Sequence, residues 1–345
     1  MKVLILSEHD VVEILTMSEC IEVMEEALAA LARGEVHNPL RQGIRAPGAP
    51  GLLGLMPAWR SGEISYYALK EVCVFPENPK RGLDTHLGAV ILHSGETGEP
   101  LLIANAAAIT AIRTAAVSAV ATKLLARKEA SVLAILGGGV QARSHLEALP
   151  LVRNIEEVRV FSRSGTWGGR PARTPSGVSP GGTTAEQDAL PEAAGTATIR
   201  VCRSAEEAVR GADIVVTATN SREPVLRREW LSPGVHINAV GSSIAAAREL
   251  DGATVAAASL FVDRRESTIK ESGDYLFAVV DGAISGPEHI KAELGEILTG
   301  AAEGRKSDDE ITLFKSLGLA IEDLASAAFL YEKARRIGRG VWVDF

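Results

Sequence analysis

Cysteine is scarce, and its pattern pairs nothing. Cys20, Cys73 and Cys202 are odd in number and far apart, and no CxxC occurs. That argues against a disulfide framework or zinc knuckle and fits a reducing compartment. The seven histidines show no HExxH or similar ligand spacing, so no metal is expected. Positive charge is in deficit: 36 Lys and Arg against 44 Asp and Glu leave a net charge of −8. The long-range field of such a chain repels nucleic acid and anionic membranes, while a local basic pocket for a small anion stays open. No apolar run approaches the roughly 18 residues of a membrane span. The apolar run near Met1 is too short for a signal peptide. These absences lead to the expectation of a cytoplasmic protein bound to neither nucleic acid nor membrane.

What is present is an ordinary globular composition, 46% hydrophobic and 23% charged over 345 residues, enough for two domains. Thr16 and Glu19 have capping-box spacing ahead of Ile21, Met24, Leu28 and Leu31, with Gly34 at the helix end. From Gly43 to His93 short apolar runs are broken by Gly and Pro. Those at 51–55, 66–75 and 88–92 read as antiparallel strands, and Thr97-Gly98-Glu99-Pro100 as a turn. The alanine-rich stretch 106–127 reads as a helix with Thr110 at its N-cap.

Beyond it the regime changes. Apolar runs at 131–136, 158–161, 214–217 and 236–240 alternate with helical stretches, the pattern of a parallel, doubly wound sheet. Residues 164–198 are rich in Gly, Pro, Ser and Thr and read as a surface insertion, with a short helix over 186–194. The segment 312–345 contains another amphipathic helix, expected to pack back on the first domain. The expected fold class is α/β: a Rossmann-type doubly wound parallel sheet plus a discontinuous α+β substrate and dimerisation domain. The expected boundaries are 1–125 with 310–345, and 126–309.

Gly137-x-Gly139-x-x-Ala142 follows an apolar strand and opens a helix. Gly137 permits the tight turn, Gly139 lets a pyrophosphate approach the backbone, and Ala142 allows close helix–strand packing. The helix N-terminus offers free N–H groups to phosphates. A site for NAD usually has an Asp or Glu at the end of the second strand, to bond the ribose 2′-hydroxyl. Here Ser162-Arg163-Ser164 stands there instead. Arg163 can pair with a 2′-phosphate and the hydroxyls can donate to it, so NADPH is expected over NADH.

The sequence resembles the ornithine cyclodeaminase/mu-crystallin family nearly end to end. The likeness is carried by Leu53-x-x-Met56-Pro57-Ala58, Lys70, Thr97-Gly98-Glu99-Pro100, Thr110-x-x-Arg113-Thr114 and Leu136-Gly-x-Gly139-Val140-Gln141-Ala142. It continues through Gly211-Ala212-Asp213, His236 to Gly241, Arg248-Glu249-Leu250-Asp251 and Lys270 to Asp274. Ala292 to Glu296 and Phe314-Lys315-Ser316-Leu317-Gly318 complete it. Within the family the likeness is to mu-crystallin, a ketimine reductase. The serine–arginine–serine triplet is of that type. Ser243 stands where the cyclodeaminases and the family's alanine dehydrogenases carry a catalytic aspartate, and a serine is no acid–base carboxylate at neutral pH.

The resemblance implies a homodimer and a catalytic centre lying between substrate and cofactor domains. It places Arg41, Lys70, Arg113 and Ser243 with the substrate. Thr85, His86, Arg113, Gln141, Thr219, Val240 and Leu317 join Gly137, Gly139, Val140 and the 162–164 triplet around the cofactor. Lys70 lies in an apolar strand context, where burial would lower its pKa and suit it to protonate an imine nitrogen. If Thr110 caps its helix, Arg113 sits in the first turn against the dipole, an arrangement an intervening anion would explain. The expected reaction is NADPH-dependent reduction of a cyclic 2-imino acid such as piperideine- or pyrroline-2-carboxylate. The alternatives are a cyclodeaminase- or alanine dehydrogenase-type reaction, or an NADPH-linked binding protein for a small molecule of the thyroid-hormone kind.

Overall fold

The computed structural model describes residues 1–62, 64–165 and 197–345. Most of the expected insertion, with the helix expected over 186–194, lies outside them. The strands in chain order are β1 (Lys2–Leu6), β2 (Val36–His37), β3 (Gln42–Ile44), β4 (Leu52–Arg60), β5 (Tyr66–Val74), β6 (His86–Ser94), β7 (Pro100–Asn105) and β8 (Val132–Leu136). They continue with β9 (Glu157–Phe161), β10 (Thr198–Val201), β11 (Ile214–Thr217), β12 (His236–Ala239), β13 (Ser259–Val262), β14 (Ile290–Glu293), β15 (Thr312–Lys315) and β16 (Val341–Asp344). The helices are α1 (Glu8–Ile14), α2 (Met17–Ala32), α3 (Ala106–Leu125), α4 (Val140–Ala148), α5 (Ala205–Val209), α6 (Gly252–Ala257), α7 (Arg265–Glu271), α8 (Gly273–Val280), α9 (Leu294–Leu298) and α10 (Ala320–Ile337).

The chain divides into two compact units. The first comprises Met1–Val120, Glu293–Ala302 and Gly318–Phe345; the second comprises Ala121–Ala292 and Glu303–Leu317. The boundaries differ from those expected in three places, the first being residues 121–125, which fall in the second unit. Residues 293–302 join the first unit because α9 packs on α2. Residues 310–317 join the second because β15, at the start of the segment expected to pack back on the first domain, is a buried strand of its sheet.

In the first unit a mixed sheet runs β16-β1-β7-β6-β5-β4-β2, with β3 also on β4. The β4–β7 pairs are antiparallel, as their short turn-broken runs imply. β5 lies inside the sheet and alternates: Tyr66, Ala68 and Lys70 are buried, whereas Tyr67 and Cys73 are exposed. Register puts Met56 and Val90 beside Lys70 on the buried face, and α10 packs against β4, β5 and β6. Thr16 and Glu19 do form both halves of a capping box on α2.

In the second unit the order is β10-β9-β8-β11-β12-β15-β13-β14. The pairings from β10 across to β13 are parallel. β11, β12 and β15 are buried along their whole length, as strands covered on both faces must be. This is a Rossmann-like arrangement in which the strand order reverses between β8 and β11.

α3 has the length and apolar composition of a membrane span, which qualifies the expectation drawn from uninterrupted apolar runs. Arg113 and Lys123 interrupt it, and 72% of its most apolar window is buried in protein.

Candidate active site

Two constellations hold the residues singled out above, one in each unit. In the first unit Lys70 and Arg113 are each 4% exposed. The Lys70 Nζ donates to Thr110 Oγ1 at 2.6 Å and to Asp323 Oδ1 at 3.0 Å. The Arg113 Nε donates to the same Asp323 Oδ1 at 3.2 Å, and its Nη1 to Glu322 Oε2 at 2.6 Å. Glu322 and Asp323 are fully buried in the first turn of α10, where the helix dipole favours carboxylates. Burial pushes the Lys70 ammonium down to about 8, against the opposing pull of Asp323 and with the help of Arg113's charge.

The capping expectation for Thr110 is corrected. α3 begins at Ala106, and Asn105 accepts the Ala108 N–H in the capping role. Thr110 lies within the helix, its hydroxyl bonded back to the Ala106 carbonyl. Arg113 is therefore beyond the first turn. The anions that balance it are two protein carboxylates, found on a helix more than 200 residues away in sequence.

Gly318 adjoins this cluster. Its φ is +77°, and a Cβ there would run into the Arg113 guanidinium, so both conformation and space demand glycine. Its carbonyl accepts an Nη of half-buried Arg41 at 3.2 Å. Thr85 is half-buried and His86 keeps exposed surface. The protein around the His86 ring, and next the charge of Lys70, lower its pKa below the ordinary histidine value.

In the second unit Gly137 follows β8 at the point where the strand order reverses, with φ +130° and the Ala218 carbonyl where a Cβ would go. Gly139 is the N-cap of α4, is exposed, and a Cβ would meet nothing within 4 Å. Val140 is exposed, Gln141 half-buried, and Ala142 fully buried against the sheet. The turn thus has the open backbone and free helix N-terminus that a pyrophosphate requires. At the end of β9, Ser162 Oγ lies 3.0 Å from Ser164 Oγ, and Arg163 is exposed between them. These features fit a dinucleotide. Gly137→Ala is expected to weaken dinucleotide binding by about ten- to a hundredfold, since a side chain forced into this backbone costs about 1–3 kcal/mol. Calorimetric titration checks it, and an unchanged Kd would contradict the assignment.

The carboxyl ends of the other strands are braced by a buried network that the sequence reading missed. Lys315, at the end of β15 and 1% exposed, pairs with Asp274 at 2.9 Å and donates to the Gly241 carbonyl at 2.7 Å. Asp274 Oδ1 accepts the N–H groups of Glu249 and Leu250. Glu249, its pKa raised chiefly by burial, accepts the Thr217 hydroxyl at 2.7 Å and the Thr219 N–H at 2.6 Å. Asp263 accepts the Leu317 N–H at 2.6 Å. Thr219, Val240 and Leu317, expected to line the cofactor, therefore stand on or beside backbone fixed by buried ionic groups. Ser243 is half-buried, and the preceding Ser242 takes a positive φ of 50° and donates to the Ser221 carbonyl. The signal for the network was present as the motifs at 248–251, 270–274 and 314–318.

Comparison with known proteins agrees with this fold. The chain is 38% identical over 315 residues to the ketimine reductase mu-crystallin of Mus musculus, covering 90% of this chain and 91% of the relative. The structure of Thermococcus litoralis Delta(1)-pyrroline-2-carboxylate reductase in complex with NADH and L-proline superposes with a TM-score of 0.85 at 38% identity. It covers 98% of this chain and 99% of that one. An archaeal alanine dehydrogenase dimer with bound NAD gives 0.85 at 36% identity, with both chains covered completely. Residues 1–337 match the model of the ornithine cyclodeaminase/mu-crystallin family, and the chain belongs to that family.

Proposed function

We propose that this protein is an NAD(P)H-dependent reductase of cyclic 2-imino acids, with NADPH as its preferred cofactor. The observation that carries the reading is the buried pair Lys70–Arg113, an ammonium depressed to about 8 beside a guanidinium, both anchored on α10. When bound, the cofactor supplies a hydride to the imine carbon. Arg41 and Arg113 hold the substrate carboxylate by charge-assisted hydrogen bonds. Lys70 gives a proton from Nζ to the imine nitrogen, so that C=N becomes CH–NH. Thr110 Oγ1 and Asp323 Oδ1 orient that ammonium. Reduction of a preformed imine asks for no further acid–base carboxylate, which agrees with Ser242 and Ser243 following β12.

The cofactor preference rests on Arg163 and its flanking serines. Arg163→Ala is expected to raise the Kd for NADPH about ten- to a hundredfold, the worth of a charge-assisted contact of about 1.5–3 kcal/mol, and to leave that for NADH unchanged. Equal losses for both cofactors would sink it. The homodimer is supported by the outer face of the mixed sheet, where Ile44, Tyr67 and Leu87 are exposed, and by the dimeric state of the archaeal relative. Three free thiols fit a cytoplasmic protein. The substrate test is a panel: pyrroline- and piperideine-2-carboxylate, pyruvate with ammonia, and ornithine, with products resolved by chromatography. Proline or pipecolate must be the main product. Alanine from pyruvate, or proline and ammonia from ornithine, would replace the reading with another reaction of the family.

A further inference from the structure

Asp323 is 1% exposed and 253 residues from Lys70 in sequence, yet one of its oxygens meets both cations of the cluster. Oδ1 accepts from Lys70 Nζ at 3.0 Å and from Arg113 Nε at 3.2 Å. Oδ2 is buried and has no hydrogen-bond partner among the described residues. A buried carboxylate with half its lone pairs idle is an expensive device for stability alone. It is well suited to holding two cations side by side. Glu322, the adjacent carboxylate, bonds Arg113 at 2.6 Å and makes no hydrogen bond to Lys70.

We propose that Asp323 is the positioning residue of the reaction: through Oδ1 it sets the distance between the proton donor Lys70 and the carboxylate-binding Arg113, and it keeps Lys70 charged inside the protein. This rests on the reading of Lys70 as the acid. The groups facing Lys70 are Asp323 and Glu322 from α10, Arg113 and the Thr110 hydroxyl from α3, and His86 from β6. Arg113 and burial favour the neutral amine. Asp323 is the strongest influence in the opposite direction. The two carboxylates thus have separate duties: Glu322 balances Arg113, and Asp323 balances the pair.

The test compares Asp323→Asn with Glu322→Gln in the full-length enzyme. Each removes one negative charge from the same helical turn, and only the first removes a carboxylate hydrogen-bonded to Lys70. In Asp323→Asn the alkaline limb of kcat/KM is expected to fall by about one pH unit or more, whereas Glu322→Gln moves it less. Asp323→Glu should restore part of the limb. Equal displacement in both variants, or none in Asp323→Asn, overturns the proposal.

A second measurement needs no substrate. The wild-type protein, labelled at lysine Cε and aspartate Cγ, is titrated by NMR. Lys70→Arg and Asp323→Asn spectra serve only to identify the two signals, and the Asp323 carboxyl signal should inflect at the Lys70 midpoint. An Asp323 signal blind to that midpoint overturns the coupling. A shared midpoint in a protein that reduces no imine would leave the pair standing and remove the reaction.

Discussion

Replacing Lys70 with Met should lower kcat/KM for a cyclic imino acid by about 10²- to 10⁴-fold, the contribution of a positioned general acid. NADPH affinity should stay within about twofold, because Lys70 stands in the other unit from the dinucleotide turn. Met keeps the length of the side chain and packs between Met56 and Val90 on the buried face of the sheet. Asp323 retains Arg113. The pH profile separates this account from a packing effect. The active form is the protonated ammonium. Its pKa, lowered by burial to about 8, places the loss above that value: kcat/KM is flat below it and falls tenfold per unit as pH rises beyond it. In Lys70→Met that limb should vanish. A limb that persists would assign the acid to another group, and an unchanged rate would reject Lys70.

Arg113→Ala should be the most destabilising single change in the substrate cluster. It leaves Glu322, fully buried, without its bonded guanidinium, and Asp323 with Lys70 alone. Removing one partner of a buried ion pair costs about 3–5 kcal/mol, so the thermal transition should fall markedly. Among molecules that stay folded, kcat/KM should drop at least about tenfold through the lost contact with the substrate carboxylate. Arg113→Lys separates the two effects. The charge survives, so most of the stability should return, whereas the planar fork that matches a carboxylate is gone and KM should stay high. Denaturant unfolding together with steady-state kinetics reads both. A normal KM in Arg113→Lys would show that Arg113 serves the fold alone.

Local chemistry was legible in the sequence and remote pairing was not. The capping box at Thr16 and Glu19, the β4–β6 meander and the glycine turn at 137–139 are each written within a few residues. Lys70 could be singled out because the family resemblance marks it within an apolar strand run. Its counter-ions could not. Glu322 and Asp323 look like the ordinary acidic first turn of any helix, and only the packing of α10 on β5 brings them to the lysine. The same blindness misplaced Thr110, since a threonine four residues into an alanine-rich run imitates a cap, while the true cap is Asn105.

Lys315 was lost for a related reason. It ends the four-residue strand β15, and nothing local announces Asp274 or the Gly241 carbonyl as its partners. β16 pairs with β1 across almost the whole chain, a register no local pattern records.

The rate of NADPH oxidation with piperideine-2-carboxylate, measured beside NADH, decides whether the protein is an imine reductase. Rapid turnover that favours NADPH, with pipecolate as product, is the predicted result. A protein that binds NADPH yet oxidises neither cofactor with this imine would contradict the account, and would turn attention back to the serines that follow β12.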